Sequence, residues 1–254
     1  MKAETVQALI EINQRFYGEF AGAFASTRRR IQPGVERVLA DLPDTGAWLD
    51  LGCGSGWLAV EWLRRGRRSA YLGLDFSEEL LNVAQNQLAE ELDAVGEQIR
   101  FQVANLSEKG WDAGLGSEKF AGGLCFAVLH HLPGAARRLA FLCAVAQCIQ
   151  SDGLLALSVW QFQHSPRLWQ RRLPWEQAGL AEEELEPGDT LLDWRHAQPG
   201  QEKKTALRYV HLFSGEELCG LAEASGFQVE DQFESDGDGG RLGLYQLWRR
   251  KPVI

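Results

Sequence analysis

The chain has 254 residues, of which 45% are hydrophobic, and it carries a formal net charge of −9. This size and apolar content suit one α/β domain with an elaboration, whereas the acidic balance argues against a general nucleic-acid binder, whose affinity comes from neutralised phosphates. No apolar run approaches the roughly 20 residues of a membrane helix, and the N-terminus lacks a signal peptide's apolar core. The five cysteines form no C-x-x-C pair, so we expect reduced thiols, a cytoplasmic location and no metal site.

The first 40 residues are predicted to form a helical cap. Pro33 and Gly34 interrupt the helical pattern, and residues 35–39 resume it as a second short helix. Before that break, apolar side chains recur at spacings of three and four, as on one face of a helix: Leu9, Ile12, Phe16, Phe20 and Phe24.

Predicted strands and helices alternate over residues 47–160. The strands are residues 47–51, 70–75, 99–103, 120–126 and 154–160. The helices between them are residues 55–65, capped near Ser55, residues 77–92 and residues 134–149. This alternation is typical of a parallel sheet with helices on both faces.

The end of the chain departs from that alternation. Residues 214–225 are predicted to be a helix, and strands at 227–233 and 241–250 flank a glycine-rich turn as a hairpin. Residues 161–207, rich in Trp, Pro, Arg and Glu, fit neither pattern. They leave the fifth strand at the edge where ligands bind in open α/β sheets, so we expect a lid over a substrate; a purely structural elaboration is the alternative.

Basic residues cluster in an otherwise acidic chain. The clusters are residues 28–30, 64–68, 167–172 and 203–204. Two interpretations remain open: solvated helix faces, or a basic surface around the mouth of an active site.

The run from Asp50 to Gly56, D-L-G-C-G-S-G, is the most informative motif of the chain, and Asp75 ends the next strand. Glycines at a strand end let a ligand approach the backbone because no Cβ blocks the way. The helix that follows presents unpaired N–H groups, and an acid about 20 residues further on accepts hydrogen bonds from ribose hydroxyls. The motif predicts a nucleotide-shaped site, with a plain glycine turn as the alternative.

The spacing of the motif selects the ligand. A dinucleotide fingerprint places its third glycine where this chain has Trp57. Asp50 would repel a pyrophosphate but suits the ammonium group of an amino acid. Adenosine joined to an amino acid without a phosphate is S-adenosylmethionine, and here the chain resembles the class I S-adenosylmethionine-dependent methyltransferases. The resemblance implies a doubly wound, seven-stranded, mostly parallel, Rossmann-like α/β sheet with an antiparallel last strand, in a single domain over residues 1–254.

The ends of the predicted strands supply the residues expected to hold S-adenosylmethionine, or S-adenosylhomocysteine after transfer. The glycine turn takes the methionine part, Asp75 the ribose hydroxyls and Phe76 the adenine face, while Asn105 offers adenine a donor and an acceptor. Arg28 is predicted to pair with the cofactor carboxylate, or else to be a surface arginine. The predicted set is Tyr17, Arg28, Asp50, Gly52, Cys53, Gly54, Gly56, Asp75, Phe76, Asn105, Leu106, Phe126 and Ala127.

Methyl transfer from a sulfonium is an in-line displacement, so the protein mainly aligns the reactants and excludes water. A general base is needed only for an acceptor that is protonated at neutral pH. His130 and His131 follow the fourth strand directly. We expect one of them to face the cavity and the other to pack outward; alternatively, both only cap the next helix.

Several further segments resemble the tRNA wobble-uridine carboxymethyl methyltransferases. The segments are residues 16–28 (FYGEFAGAFASTR), 128–132 (VLHHL), 158–163 (SVWQFQ), 188–194 (GDTLLDW) and 208–213 (RYVHLF). The resemblance implies esterification of a carboxymethyl group on uridine, with Arg208, His211 and one of His130 or His131 as catalytic residues. Such a carboxylate is ionised at neutral pH and needs cations rather than a base. Eukaryotic members rely on a small zinc-binding partner protein, which the resemblance adds as a candidate partner.

Two rival functions stay open at this point. One is a small-molecule O- or N-methyltransferase whose acceptor is enclosed by residues 161–207. The other is an S-adenosylmethionine-binding protein without turnover. The sequence leaves a monomer and a homodimer equally open.

Overall fold

The computed structural model describes residues 1–27, 30–91, 98–117, 119–196 and 204–252, so Arg28 lies outside the described residues. In those ranges no helix has the length and apolar character that crossing a membrane requires. The α-helices are α1 (Ala3–Thr27), α2 (Pro33–Asp41), α3 (Trp57–Arg64), α4 (Glu78–Glu91), α5 (Ala135–Cys148), α6 (Pro166–Trp169) and α7 (Gly215–Ala224). The strands are β1 (Ala47–Leu51), β2 (Ala70–Asp75), β3 (Ile99–Val103), β4 (Phe120–Phe126), β5 (Ile149–Trp160), β6 (Arg172–Leu173), β7 (Asp189–His196), β8 (Lys204–His211), β9 (Phe227–Ser235) and β10 (Gly243–Arg250).

A seven-stranded sheet forms the centre of the fold, in the order β3-β2-β1-β4-β5-β10-β9. Strands β1 to β5 pair in parallel, and β10 runs antiparallel to both of its neighbours. The predicted α/β sheet with an antiparallel last strand is therefore confirmed. Leu49, Leu51, Leu74 and Leu124 are fully buried, as expected for central strands covered by helices on both faces.

The strand order reverses between β1 and β4. The chain runs outward from β1 through β2 to β3, and then returns to place β4 on the other side of β1. In open α/β sheets, ligands bind in the crevice at the carboxyl ends of the strands beside such a reversal. The glycine turn after β1 and the segment after β4 both open onto this crevice.

Several element boundaries differ from the prediction: the hairpin strands β9 and β10 and most helix ends are shifted by one or two residues, and three differences have a clear physical reason. The turn after β1 continues through Gly56, which caps α3 in the left-handed conformation without a side-chain acceptor, so Ser55 is not the cap. Strand β5 begins at Ile149 rather than 154, because Asp152 adopts a positive φ and a shift in the β4–β5 register absorbs the expected turn. Pro33 begins α2 instead of interrupting a helix, since the first helical N–H needs no partner.

Residues 161–207 contain a second sheet, in the antiparallel order β6-β7-β8. The sheet continues to His211, so the predicted boundary at 207 falls inside β8 and was wrong. Leu191 and Tyr209 are buried with Leu9 of α1, while Leu192 and Val210 are buried in a separate cluster of apolar side chains. Because the sheet is buried on both faces, its sequence shows little polar–apolar alternation.

Candidate active site

The three glycines of the turn after β1 all have positive φ, at +79° for Gly52, +55° for Gly54 and +77° for Gly56. A Cβ at Gly52 would meet Val128 at 2.4 Å, and one at Gly56 would meet Ala84 at 2.6 Å. A Cβ at Gly54 would meet no atom within 4 Å. Two of the glycines are thus required by packing, whereas Gly54 leaves its side of the backbone open to a ligand.

Asp75 is fixed beside Gly54. Its carboxylate accepts hydrogen bonds from the backbone N–H of Gly54 at 2.9 Å and of Ser77 at 3.0 Å. Burial raises the pKa of Asp75, and the hydrogen bonds from Ser77 and Gly54 oppose that shift. The side chain is therefore held rigidly in the wall of a cavity, and its assignment to the ribose stays a prediction.

Asp50 lies below the glycine turn. It is buried, and it accepts a short hydrogen bond from the hydroxyl of Tyr71. Burial raises the pKa of Asp50 to about 7, against the effect of the Tyr71 hydrogen bond and with some help from the charge of Asp75. The neighbouring Cys53 thiol has a raised pKa, chiefly through burial, so it is kept protonated rather than nucleophilic.

Two cavities meet over the glycine turn. They share the lining residues Gly52, Gly54, Phe126, Ala127 and Trp160. The first cavity extends over the predicted adenosine residues Asp75, Phe76, Asn105 and Leu106 and reaches Tyr17 and His131. The second extends over Asp50, Cys53, Ser158 and Asp236 and reaches Arg30.

Two predicted cofactor residues have other contacts than expected. The Asn105 side chain closes its own loop, since its Oδ1 accepts from the N–H and hydroxyl of Ser107 and its Nδ2 donates to Glu108. Gly56 packs on Ala84 and lines neither cavity. The structure brings Asn105 and all the other described members of the predicted set except Gly56 to the lining of the two cavities.

Ala127 follows β4 with φ at +57°, an unfavourable conformation for a residue with a Cβ. Its N–H donates to the carbonyl oxygen of Ser158 at 3.0 Å and to the Ser158 hydroxyl at 3.1 Å. Strained backbone of this kind clusters at functional sites. Here the strain falls on a residue shared by both cavity walls.

A chain of hydrogen bonds runs from the first cavity into the second sheet. The Tyr17 hydroxyl lies 2.9 Å from His131 Nε2, and His131 Nδ1 lies 3.1 Å from the carbonyl oxygen of Tyr209. A carbonyl oxygen only accepts, so Nδ1 carries a hydrogen. In a neutral His131, Nε2 accordingly accepts from Tyr17, which assigns the tautomer.

His130 is fully buried and stacks on Trp160, with the ring planes 23° apart. Of the two predicted histidines, His131 thus faces the cavity and His130 packs behind it. Arg208, which is also buried, places its guanidinium carbon 4.3 Å from the ring centre of Trp160 and 5.1 Å from that of Phe16. A positive charge therefore lies directly behind a tryptophan shared by both cavities.

His211 is placed elsewhere, in a buried cluster of charges. Its Nδ1 lies 2.7 Å from Asp189 and its Nε2 lies 3.1 Å from Glu217, while Arg138 contacts Glu186 at 2.8 Å and Glu217 at 3.5 Å. Burial works to lower the pKa of His211, but the hydrogen bonds to Asp189 and Glu217 outweigh it and raise the pKa overall. The structure therefore does not bring His211 to the lining of either cavity.

Asn13 is a site residue that the sequence analysis missed. It is buried on α1, donates to the carbonyl oxygens of His131 and Tyr209, and accepts from the Tyr209 N–H. One side chain thus fixes α1 against both the second sheet and the histidine turn, which is the short 3-10 turn Leu129–His131 after β4. Its signal was available, because Asn13 stands four residues after Leu9 and three before Phe16, on the apolar face of the helix.

Arg30 is a second missed residue. Within the described lining of the second cavity it is the one cation. It lies two positions after the predicted Arg28, in the same basic run. The sequence analysis identified the basic cluster of residues 28–30, but it did not predict that Arg30 lines the second cavity.

Comparison with known proteins adds a family to this geometry. Residues 24–232 match the model of a family described as "Methyltransferase domain". The chain is 25% identical, over 86% of its length and 90% of the relative's, to the tRNA (carboxymethyluridine(34)-5-O)-methyltransferase of Schizosaccharomyces pombe. The match to the corresponding enzyme of Xenopus tropicalis is 24% identical, over 60% of this chain and 22% of the relative. The chain thus spans about a fifth of the length of the vertebrate relatives it matches.

Solved structures share the fold. The Burkholderia thailandensis 1,6-didemethyltoxoflavin-N1-methyltransferase, with its acceptor and S-adenosylhomocysteine bound, has a TM-score of 0.64 at 19% identity, covering 99% of this chain and 92% of that chain. A methyltransferase from Methanosarcina mazei has a TM-score of 0.63 at 19% identity, covering 88% of this chain and 100% of that chain. At 19% identity, these two structures show that the fold is shared and nothing about the acceptor of this chain.

Proposed function

Since this chain belongs to the methyltransferase domain family and is an S-adenosylmethionine-dependent methyltransferase of class I fold, we propose that it esterifies the carboxylate of a carboxymethyl-type wobble uridine in tRNA. The observation that carries the proposal is the contact of the buried Arg208 with Trp160 of the cavity wall. It provides positive charge on the acceptor side of the site, where an anionic group needs it.

The residues of the cavity fit the cofactor. Gly54 leaves open a space that any side chain would fill, Asp75 offers carboxylate oxygen to the ribose, and Phe76 and Leu106 offer apolar surface to the adenine. When bound, S-adenosylmethionine supplies a methyl group on a positively charged sulfur. Arg30, together with the proposed Arg28, is suited to pair with the cofactor carboxylate.

The acceptor side suits a carboxylate, because an ionised carboxylate can be methylated without a general base. Among the described residues that line the first cavity, Asp75 is the one carboxylate, and we assign it to the ribose. An acceptor carboxylate in this cavity therefore contacts Tyr17 and His131 rather than an acid. Arg208 lines neither cavity, and its charge acts on the acceptor from behind the Trp160 ring. When His131 is protonated, its Nε2–H donates to the Tyr17 oxygen, which leaves the Tyr17 hydroxyl hydrogen to donate to the substrate.

We propose tRNA as the acceptor because of the proteins to which this chain is similar. The S. pombe protein, which is named as acting on carboxymethyluridine 34, aligns with this chain over most of both lengths. We therefore propose a cytoplasmic location, which agrees with the unpaired state of all five cysteines. A small partner protein stays a proposal that comes from the family resemblance.

A small-molecule O- or N-methyltransferase is the second candidate. It is favoured by the aromatic enclosure of the site, where Tyr17, Phe76, Phe126 and Trp160 all line the first cavity. The fold relative from B. thailandensis binds a small acceptor, 1,6-didemethyltoxoflavin. In that case the pair of Tyr17 and His131 would serve as the base that a protonated acceptor requires.

The test measures S-adenosylhomocysteine formation with a tRNA anticodon stem-loop that carries 5-carboxymethyluridine. We expect turnover with this RNA, none with the unmodified stem-loop, and a product that releases methanol under mild alkali, as an ester does. Turnover with small carboxylic acids or amines but not with the RNA would favour the second candidate. Absence of turnover with either, despite cofactor binding, would favour a binding protein.

An Asp75→Ala variant that binds cofactor as tightly as the parent would contradict the ribose assignment.

A further inference from the structure

The segment that leaves the active site carries an exposed aromatic group surrounded by arginines. Of the nine tryptophans in the chain, Trp169 is the most exposed, at 38%. Residues 161–173 contain Arg167, Arg171 and Arg172 and no acid, in a chain with a net charge of −9. The segment begins directly after Trp160 of the cavity wall.

Trp169 is built into a stack. Its ring lies 6.1 Å from the ring of the fully buried Phe162, with the planes 29° apart. The Arg172 guanidinium carbon lies 3.3 Å from the Trp169 ring centre, and Arg172 Nε donates to the Trp169 carbonyl oxygen. The guanidinium is thereby held flat beside the ring and remains exposed to solvent. Aromatic rings and guanidinium planes are the surfaces on which unpaired nucleobases stack.

The register of the second sheet links this stack to the active site. Arg172 of β6 pairs with Leu192 of β7, and Leu192 pairs with Arg208 of β8. Side chains paired across antiparallel strands share a face of the sheet, and neighbouring strands lie about 4.8 Å apart. The backbones of Arg172 and Arg208 thus lie about 10 Å apart, two strand spacings, and their side chains share one face of the second sheet. Arg172 contacts Trp169 at the surface, and Arg208 contacts Trp160 inside.

Arg167 and Arg171 complete the surface. Within the part of the chain that the structure describes, neither forms an ion pair, whereas Arg241 and Arg249 on the hairpin of the main sheet are neutralised by Glu234 and Glu230. Arginines without a carboxylate partner are available to phosphates.

We propose that Trp169, Arg167, Arg171 and Arg172 form a docking platform for single-stranded RNA, on which a base next to the target nucleotide stacks. The proposal rests on the proposed function for its choice of partner. The base lies against the Trp169–Arg172 stack, and the adjoining phosphates contact Arg167 and Arg171. The nucleotide beside it is then delivered to Trp160 and the cavity.

The experiment measures fluorescence anisotropy of a labelled oligouridylate, which needs no turnover. We expect the Arg167→Gln/Arg171→Gln double variant to weaken binding about tenfold, and to lower the slope of log affinity against log salt by about 1.4, or 0.7 for each lost phosphate contact on a single strand. Trp169→Ala is expected to weaken binding at least fivefold, while Trp169→Phe, which keeps a stacking ring, restores most of it. Arg100→Gln, at an exposed position on β3, an edge strand of the main sheet, is the control and should bind as the parent does.

The outcomes separate this proposal from the proposed function. Three outcomes would each overturn the platform. The first is parent-like binding by both the double variant and Trp169→Ala, the second is no detectable RNA binding by the parent, and the third is competition by polyglutamate as strong as that by RNA. Weakened binding by the platform variants would support it even if the carboxymethyluridine stem-loop is not methylated, in which case only the acceptor assignment fails. If the stem-loop is methylated, the platform variants should raise KM for it and leave turnover of the free carboxymethyl nucleoside unchanged.

Discussion

The two halves of the site are assembled in different ways. On the cofactor side, Gly54 and Asp75 are 21 residues apart and are joined by a direct hydrogen bond. On the acceptor side, the contact between Tyr17 and His131 spans 114 residues, and that between Asn13 and Tyr209 spans 196. The cofactor side is thus built within one strand–helix–strand unit, whereas the acceptor side needs α1, the histidine turn and the second sheet to come together. Substitutions on the acceptor side should therefore leave cofactor affinity unchanged, and substitutions on the cofactor side should leave the acceptor side intact.

The largest effect is expected at Gly54. Gly54→Val places a branched side chain in the space assigned to the cofactor and adds strain at φ +55°. We expect the affinity for S-adenosylhomocysteine, measured by calorimetry, to fall about 100-fold, the upper end of a packing clash. Gly110→Val is the matched control, since Gly110 also has a positive φ and open space around its Cβ position. Equal losses in both variants would mean that backbone strain alone explains the result.

Arg208→Gln tests the acceptor side next. Loss of the buried charge should lower kcat/KM for the carboxylate acceptor about 100-fold, in the range measured when one partner of a buried charge pair is removed. Affinity for S-adenosylhomocysteine should stay within about twofold of the parent. Arg208→Lys keeps the charge and should recover part of the activity. If Arg208→Gln weakens cofactor binding as much as turnover, the two halves are not separable.

Asp50 provides a smaller, pH-dependent test of the cofactor side. With a pKa of about 7, Asp50 becomes ionised as the pH rises from 6 to 8, and only the ionised form attracts the cofactor ammonium. We expect cofactor affinity to rise several-fold over this range, with proton release on binding, and Asp50→Asn to lose the pH dependence. Buffers of different ionisation enthalpy reveal the proton in calorimetry. The same dependence in Asp50→Asn would remove Asp50 from ammonium recognition.

The smallest expected effect concerns His211. Its pKa is raised in the folded protein, so the folded state binds the proton more tightly than the unfolded state does. The resulting stabilisation is fully present below pH 6.5 and is lost as the pH rises through the folded pKa. We expect the Tm of the parent to fall about 3 °C more between pH 6 and pH 9 than that of His211→Gln. A parallel decline in both proteins would contradict the assignment of a protonated His211 in the charge cluster.

The sequence analysis succeeded where contacts are local and failed where they are not. The strands at 47–51, 70–75, 99–103 and 120–126 were predicted at their observed bounds, because each is a short apolar run between turn signals. The second sheet was not predicted, since its strands β7 and β8 are buried on both faces and show no clear period. One local detail was also missed: Asn105, assigned to adenine from its chemistry alone, lines the first cavity, but its side chain bonds within its own loop.

The sequence by itself determined the cofactor. The order of glycines after β1, the acid before them and the acid at the end of β2 fix a short backbone path, whose geometry depends on neighbours within about 25 residues. Only the tertiary structure decided the acceptor side: that His131 rather than His130 faces the cavity, that His211 belongs to a buried charge cluster, and that Arg208 lies behind Trp160. These positions depend on the packing of elements far apart in the chain, and packing between distant elements leaves no periodic signal in any one of them.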